Sequence, residues 1–165
     1  DKPINTCSGK SAVQAMLISQ NGSFIYTVCA DGKINIWDTS RSQLIRNVAL
    51  KTAYALDLVQ NWDNSALILG CTDNSIKIID TKLTKLLSTL EIHSRPVFSL
   101  AVCKVSGLVA SGSEDSTVKL WSSDTKEIVK TLANHHGTVH SLVFSNNGSL
   151  LFSGGTDKSI FCWKV

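Results

Sequence analysis

The chain has 165 residues, of which 43% are hydrophobic and 18% charged, a balance that fits a single globular domain and argues against intrinsic disorder. The formal net charge is only +3 and the basic residues are scattered, so the charge pattern gives no indication of nucleic-acid binding. The longest apolar stretches, 66–69 and 150–152, fall far short of the roughly 20 residues of a membrane-spanning helix, so no such helix is predicted.

The N-terminal residues and the cysteines bear on the cellular compartment. Residues 1–5 show no basic stretch followed by an apolar run, as a secretory signal would. The five cysteines form no C-x-x-C pair, and an odd number is more typical of reduced thiols than of a disulfide framework. We therefore expect a cytoplasmic or nuclear protein.

The chain contains an internal repeat. Four aspartates, each opening a turn between two apolar runs, follow one another at intervals of 42 residues: Asp31, Asp73, Asp115 and Asp157. The same interval relates an apolar column, Val13, Ala55, Val97 and Val139, and a second column, Trp37, Ile79, Trp121 and Trp163. Three columns with one period and no insertion predict four copies of one structural unit.

In chain order, residues 1–8 align with the last strand of the later units, and the first unit begins near residue 12. Its Asn21-Gly22 and Asp31-Gly32 pairs are typical of tight hairpin turns between successive strands. The second unit begins near residue 54 and repeats the alternation of apolar and polar residues, which is the period of a β-strand.

The third unit, from residue 96, has the clearest pattern. It predicts strands over 97–102, 108–113, 117–121 and 127–132. The fourth unit begins near residue 138 and stops just after its third strand. We therefore predict an all-β protein with a single domain over residues 1–165, built from small sheets of four antiparallel strands.

Two motifs connect this repeat with a known family. One is the run from Val109 to Trp121, and the other is the run from Lys33 to Asp38, which ends in Trp-Asp. With the repeat length, these motifs resemble the WD-repeat family, whose units have about 40 to 45 residues. The resemblance covers essentially the whole chain and implies a β-propeller in which each unit forms one blade.

The resemblance also implies how the propeller closes. In this family the N-terminal strand completes the last blade, which matches the alignment of residues 1–8 with a strand that the fourth unit lacks. Four blades leave three arrangements open: a ring closed on itself, an eight-bladed ring made with a second copy, or part of a seven- or eight-bladed propeller. An open arc would expose a sheet edge at 160–163.

The family further implies a bracing tetrad of His, Ser or Thr, Asp and Trp in each blade. By position, the tetrads are His93, Ser111, Asp115 and Trp121 in the third unit, and His135, Ser153, Asp157 and Trp163 in the fourth. The first two units depart from this pattern, with Gly9 and Lys51 in the His column, Leu69 in the Ser or Thr column and Ile79 in the Trp column. We expect the first two blades to open first, because a braced blade has more cooperative hydrogen bonding.

Neither a catalytic site nor a metal site is predicted. His93, His135, Cys29 and Cys71 are the candidate metal ligands, but each like pair is separated by a full repeat and no short-range pair of ligands exists. We therefore expect no metal and no cofactor. An enzyme with a site at the propeller centre is the competing class, and it would need convergent His, Asp or Cys side chains there.

Relatives in the family commonly bind partners on the face that bears the loops into the first and third strands. Carried over by position, the residues of this face are Ala12, Gln14, Ala30, Tyr54, Leu56, Thr72, Pro96, Phe98, Glu114, Thr138, His140 and Thr156. Tyr54, Leu56 and Phe98 are expected to form an apolar cluster there, with polar selectivity from Glu114 and His140. The alternative for Phe98 is packing between blades.

Trp62 stands in a column that otherwise holds Gln20, Lys104 and Asn146, so it is expected to be exposed on the opposite face. It is either an incidental surface residue or a second contact site. The function predicted from these features is a non-catalytic scaffold for peptide or protein partners. The alternative is a structural half-propeller that acts in assembly or dimerisation.

Overall fold

The structure is a computed structural model that describes residues 6–7, 9–50 and 53–165. In these ranges the chain forms fifteen strands in four antiparallel sheets. Blade one holds β1 (Val13–Ile18), β2 (Phe24–Cys29), β3 (Lys33–Asp38) and β4 (Gln43–Ala49), and blade two holds β5 (Ala55–Gln60), β6 (Ala66–Cys71), β7 (Ile76–Asp80) and β8 (Leu86–Leu90). Blade three holds β9 (Val97–Val102), β10 (Leu108–Ser113), β11 (Val118–Ser122) and β12 (Ile128–Leu132), and blade four holds β13 (Val139–Phe144), β14 (Leu150–Gly155) and β15 (Ile160–Lys164).

The prediction of an all-β fold of four-stranded blades is confirmed. In blade three the four predicted strands differ from the observed ones by at most one residue at either end. Blade four has three strands among the described residues. The prediction that residues 1–8 form a closing strand lies outside the described residues, since 1–5 and 8 are among those not described, and so does the placement of Lys51.

The aspartate column has a local structural role in every blade. Its Oδ1 atom accepts the backbone N–H two residues later, at 3.2 Å in Asp31 and Asp73 and at 3.0 Å in Asp115 and Asp157. The residue between lies in the left-handed region in all four blades: Gly32, Asn74, Ser116 and Lys158. The column therefore marks the tight turn between the second and third strands, which explains its strict spacing.

The blades pack side by side as an open arc. The inner strand β1 packs against β5, β5 against β9, and β9 against β13. A separate hydrophobic core fills each of the three boundaries between successive blades. Since β1 and β13 do not pack against each other, the self-closed four-bladed ring is not the arrangement found.

Glycines set how closely successive blades approach. A Cβ on Gly70 would lie 2.8 Å from Val97 O, and one on Gly112 would lie 2.7 Å from Val139 Cγ1. At the first boundary the second-strand residue is Val28 and the facing first-strand residue is the smaller Ala55, both in one core. Each boundary thus pairs one small residue with one larger residue, as close packing requires.

Candidate functional site

The first strand of every blade carries a β-bulge at the same repeat position. In each blade the register between the first and second strands shifts by one residue, so that one residue of the first strand has no partner. The shift lies between Val13 and Ala15, Ala55 and Asp57, Val97 and Ser99, and Val139 and Ser141. The extra residues are Gln14, Leu56, Phe98 and His140. Because a bulge turns a side chain out of the regular alternation, these four residues form a repeated row along the arc.

A second repeated contact lies beside each bulge. The residue before the turn aspartate donates its backbone N–H to the residue before the first strand, from Ala30 to Ala12 at 2.9 Å, Thr72 to Tyr54 at 2.9 Å, Glu114 to Pro96 at 3.0 Å and Thr156 to Thr138 at 2.9 Å. The twelve residues expected on the binding face therefore gather at one end of the four sheets. We call this set the upper rim.

The aromatic residues of the upper rim contact neighbouring blades. Tyr54 is 54% exposed, and its ring packs over Gly32 of blade one, where an added Cβ would lie 2.9 Å from Tyr54 Cδ1. Phe98 is partly buried and meets His140 of blade four edge-on, with the ring centres 4.8 Å apart. Leu56 is also partly buried, whereas Gln14, Glu114 and His140 are exposed.

These contacts add a neighbour for Phe98 to the expected cluster of Tyr54, Leu56 and Phe98, which stays a prediction. Within the described residues the aromatic partner of Phe98 is His140, not Tyr54. Phe98 combines the two roles considered for it, since it packs between blades three and four and keeps part of its ring accessible.

Trp62 lies in the turn after β5, at the end of the sheets opposite the upper rim, and is 41% exposed. Its Nε1 atom donates to Asp124 Oδ1 of blade three at 3.1 Å. Its ring covers Gly107, where a Cβ would lie 3.2 Å from Trp62 Cδ1. These contacts favour a role in joining blades two and three over that of a free contact site.

The bracing network is complete in blade four. His135 Nδ1 lies 2.8 Å from Asp157 Oδ2, His135 Nε2 lies 2.8 Å from Ser153 Oγ, and Trp163 Nε1 donates to the same Ser153 oxygen at 2.8 Å. A hydrogen bond from the backbone N–H of His136 and the contact with His135 lower the pKa of Asp157 to about 2. The aspartate is thus ionised and accepts the imidazole N–H.

Blade three differs from its predicted tetrad at one position. His93 contacts Asp115 Oδ2 and Ser111 Oγ at 2.8 Å each, but Trp121 Nε1 is buried without a hydrogen-bond partner. The hydroxyl of Ser111 also lies 3.5 Å from Lys119 O. Burial lowers the pKa of His93 despite the nearby carboxylate, so its ring is neutral near pH 7.

In blades one and two the turn aspartate forms an ion pair with a lysine instead of a contact with a histidine. Lys33 Nζ lies 2.8 Å from Asp31 Oδ2, and the buried Lys77 Nζ lies 2.8 Å from Asp73 Oδ2. In blade one Trp37 Nε1 still donates to Thr27 at 3.1 Å. The sequence pattern did not reveal this substitution, because the lysines lie after the aspartate rather than in the histidine column.

The loss of histidine leaves a cavity in blade one. It measures about 290 Å³ and is lined by residues that include Gly9, Cys29, Asp31, Asn35 and Trp37. A Cβ on Gly9 would meet nothing closer than Trp37 Cζ2 at 3.7 Å. Gly9 stands in the histidine column, so the cavity borders the residue of blade one that corresponds to His93 and His135.

Asp57 is a polar link between blades that sequence analysis missed. Its Oδ2 atom accepts the backbone N–H of Leu100 in blade three at 2.8 Å, and Oδ1 accepts that of Leu58 at 2.8 Å. Burial raises the pKa of Asp57 above its usual value, although both N–H groups oppose this effect. The sequence did offer a sign of this unusual role. Asp57 is the charged residue in a repeat column that otherwise holds Ala15, Ser99 and Ser141.

Replacing Asp57 with asparagine is expected to change how stability depends on pH. Because the folded-state pKa of Asp57 lies above the ordinary value of an aspartate, the folded protein holds this proton more tightly than the unfolded chain does. The contribution of Asp57 to stability is therefore present below the unfolded pKa and is lost as pH rises through the folded pKa. The unfolding free energies of the wild type and Asp57→Asn, measured by urea titration from about pH 4 to about pH 7, should diverge in favour of the variant as pH rises. A constant difference across that range would contradict this assignment.

Cys71 has the setting of a structural thiol. Cys71 is fully buried, and burial raises the pKa of its thiol to about 12, far from that of a nucleophile. In the described ranges no group of three or more His, Cys, Asp or Glu residues is placed to hold a metal ion. No helix in the described part of the chain is long and apolar enough to cross a membrane.

Comparison with known proteins agrees with this architecture. The family model for the WD domain, G-beta repeat (WD40), matches residues 1–38, 84–122 and 126–164, which together make up more than half of the chain. Among solved structures, the chain is similar to the computationally designed Ika4 protein, with 25% identity and a TM-score of 0.81, and the match covers 96% of this chain and 94% of that one. No curated protein matches the chain. The repeats, the blade topology and the family match together show that the chain belongs to the WD40 family of β-propeller repeat proteins.

Proposed function

We propose that this chain is a non-catalytic interaction scaffold that binds a peptide or protein segment across the upper rim. WD40 repeats generally mediate protein–protein interactions, and the family is generally non-catalytic. The observation that carries the proposal is the bulge at one repeat position in all four blades, which presents Gln14, Leu56, Phe98 and His140 in a row. A rigid scaffold that carries variable loop residues is a common basis for recognition.

The chemistry of the rim suggests the kind of segment it binds. Tyr54 and Phe98 are aromatic side chains held by contacts to neighbouring blades, so little conformational entropy is lost when a partner covers them. Glu114 and His140 are exposed polar residues beside them. The preferred partner is a segment with apolar anchor residues and flanking polar groups.

A displayed library of random peptides, panned on the purified chain, tests the proposal with a defined probe. Peptides that are enriched should bind Phe98→Ala and Tyr54→Ala at least about 10-fold more weakly than the wild type, since aromatic anchors commonly contribute more than 1 kcal/mol. Val105→Ala is the matched control, because Val105 is 70% exposed and lies in the turn after β9, away from the rim.

Two results would count against the upper rim. One is the absence of any enriched peptide, and the other is enrichment that survives both aromatic substitutions. Circular dichroism of each variant excludes loss of folding as the cause of weaker binding.

A reducing compartment, the cytoplasm or the nucleus, is part of this proposal. All five cysteines are free, and Cys29, Cys71 and Cys103 are buried as isolated thiols. Disulfides persist mainly in oxidising compartments, so free thiols support a reducing one.

A further inference from the structure

A groove runs between blades one and two at the end of the sheets opposite the upper rim. It comprises two adjoining cavities of about 400 Å³ and about 370 Å³, which share the lining residues Phe24, Tyr26 and Thr81. The larger cavity extends towards the outer strand β4 and is also lined by Ile45 and Arg46. The smaller cavity opens among polar residues of the turns that follow β1 and β5. We call the two cavities together the lower groove.

The floor of the lower groove comes from side chains of blade one that face blade two. Tyr26 lies opposite Ile36 in the strand register, and Ile36 lies opposite Arg46. Directly opposed residues of adjacent strands point to the same side of a sheet, so these three form one row across the blade. Tyr26 and Ile36 are buried, whereas Arg46 is exposed and Ile45 beside it is 53% exposed. The row is therefore an apolar floor that ends at a cation.

Aromatic residues distinguish this boundary from the two that follow. Phe24 and Tyr26 stand in repeat columns that hold Ala66 and Ile68 in blade two and Leu108 and Ala110 in blade three. Two aromatic rings thus line the groove at the first boundary. Aromatic rings offer a large apolar contact area to the side chain of a partner.

The polar contact that joins blades two and three is replaced at this boundary. There, Trp62 Nε1 donates to Asp124 Oδ1 at 3.1 Å. One repeat earlier the same positions hold Gln20 and Lys82, and Gln20 instead accepts a hydrogen bond from Asn64 Nδ2. Lys82 is exposed and lines the larger cavity. The lower groove therefore has a positive charge where the next boundary has a tryptophan bound to a carboxylate.

The two cations of the groove are available to a partner. Within the described residues, neither Arg46 nor Lys82 belongs to an ion pair. Among the described residues that line the larger cavity, none is acidic. The carboxylates of the two neighbouring turns, Asp38 and Asp80, each accept two backbone N–H groups of their own turn. Their hydrogen-bonding capacity is thus largely used within the turns.

We propose that the lower groove binds an acidic peptide segment of a partner protein, which inserts one large apolar side chain between blades one and two. The inserted side chain covers Phe24, Tyr26 and Ile45, and carboxylates on either side of it pair with Arg46 and Lys82. An apolar, partly aromatic pocket with a few placed polar groups is the usual form of such a site. This inference is independent of the upper rim, since the two surfaces lie at opposite ends of the sheets.

Charge complementarity favours an acidic peptide over other anions. Nucleic acids and anionic membranes bind through many phosphates and call for an extended basic surface. The lower groove has two cations beside a recessed apolar floor, and the net charge of the whole chain is only +3. A peptide with one apolar anchor and a few carboxylates matches both features.

Competitive selection from a displayed library of random peptides isolates ligands of the lower groove. The library is panned on the wild-type chain in the presence of an excess of the soluble double variant Arg46→Glu, Lys82→Glu. This competitor retains the upper rim and removes the peptides that bind there. The enriched peptides should share one large apolar residue flanked by Asp or Glu. Failure of this selection leaves the upper-rim proposal intact, and failure at the rim leaves this one intact.

A fluorescein-labelled synthetic peptide from this selection gives affinities by anisotropy. Arg46→Glu and Lys82→Glu should each weaken binding by at least about 5-fold, because an attractive contact becomes a repulsive one. The matched control is Lys130→Glu, which makes the same change in charge at the exposed residue of blade three that corresponds to Arg46. This control should leave the affinity within about 2-fold of the wild type, since distant exposed charges are screened.

Ile45→Ala tests the apolar wall without a change in charge. It should weaken binding by about 3-fold, because less apolar surface is buried under the peptide. Val129 holds the same repeat position in blade three and is 61% exposed, so Val129→Ala should leave the affinity unchanged. Circular dichroism of each variant excludes loss of folding as the cause.

Salt dependence tests the role of the two cations. Raising the NaCl concentration from about 50 mM to about 500 mM should weaken binding of the acidic peptide several-fold, because exposed charges are screened. An affinity that does not respond to salt would contradict the pairing of carboxylates with Arg46 and Lys82.

Three results of the selection overturn the proposal. These are the absence of any peptide that survives the competition, enriched peptides without acidic residues, and single variants that weaken binding no more than Lys130→Glu does. Vesicles that contain phosphatidylserine, and light scattering of the chain alone, test a membrane and a second copy as occupants. Vesicle binding or dimerisation that Arg46→Glu abolishes, without any enriched peptide, would assign the groove to that occupant instead.

Discussion

Ser153→Ala is expected to lower the free energy of unfolding by about 2 to 3 kcal/mol, because its hydroxyl serves the buried His135 and the partly buried Trp163 in blade four. Trp163 Nε1 donates to it at 2.8 Å, and His135 Nε2 lies 2.8 Å away on the other side. With His135 donating from Nδ1 to Asp157, Nε2 accepts the serine proton and the serine oxygen accepts the indole proton. Alanine leaves both nitrogens without a partner.

Ser111→Ala in blade three is the matched variant. Ser111 has the same histidine contact at 2.8 Å and is fully buried, but Trp121 Nε1 does not reach it. Its replacement should therefore cost about 1 kcal/mol less than Ser153→Ala, the typical net value of one hydrogen bond. Urea unfolding of the wild type and of both variants gives the two values. Equal costs would show that the tryptophan contact of blade four has no effect on stability.

Gly112→Ala is expected to destabilise the protein by about 1 to 3 kcal/mol through overpacking between blades three and four. The new Cβ would lie 2.5 Å from Ser99 Oγ and 2.7 Å from Val139 Cγ1, closer than side-chain atoms can approach. Ser99 can move only by giving up its hydrogen bond to Val139 O. No side-chain movement within the blade can therefore remove the clash at low energetic cost.

A second substitution at the facing residue should recover part of this loss. Val139→Ala removes the valine methyl groups that the new Cβ meets, and it brings this boundary closer to the first one, where Val28 faces Ala55. The double variant should therefore be more stable than the sum of the two single effects predicts, by about 1 kcal/mol in a double-mutant cycle. Urea unfolding of the four proteins gives this coupling.

Gly154→Ala is the control for the glycine column. It makes the same change in β14 of blade four, where the nearest atom to the added Cβ is Ser141 Cβ at 4.0 Å. It should be neutral, or stabilising by about 0.5 kcal/mol through lower entropy of the unfolded chain. A loss as large as that of Gly112→Ala would mean that glycine is needed for the strand itself and not for the approach of the next blade.

Most of the fold could be predicted from local features of the sequence. The spacing of 42 residues, the alternation along each strand and the Asp-initiated turns predicted blade number, strand bounds and family. These features depend on residues close together in the chain, since a turn aspartate contacts the N–H two residues later. These features can therefore be recognised in the sequence without knowledge of the neighbouring blades.

The repeat predicted at which end of the sheets the rim residues lie, but not all of their contacts. The twelve rim residues follow from the repeat, because the backbone contacts that gather them recur in every blade. The partner of Phe98 was not predictable from the pattern of its own blade, because His140 belongs to the next one. Trp62 was expected to lie exposed on the opposite face, as an incidental residue or a second contact site, and its contact with Asp124 became evident only when two blades were placed side by side.

The sequence by itself determined the repeat, the all-β blades and the positions of the bracing residues, because these are set by short-range turns and strand periodicity. Only the tertiary structure decided that Trp163 is hydrogen-bonded while Trp121 is not, and that Asp57 joins two blades. The physical reason is that burial and hydrogen bonding between blades depend on which surfaces meet, and identical repeat positions have different neighbours in different blades.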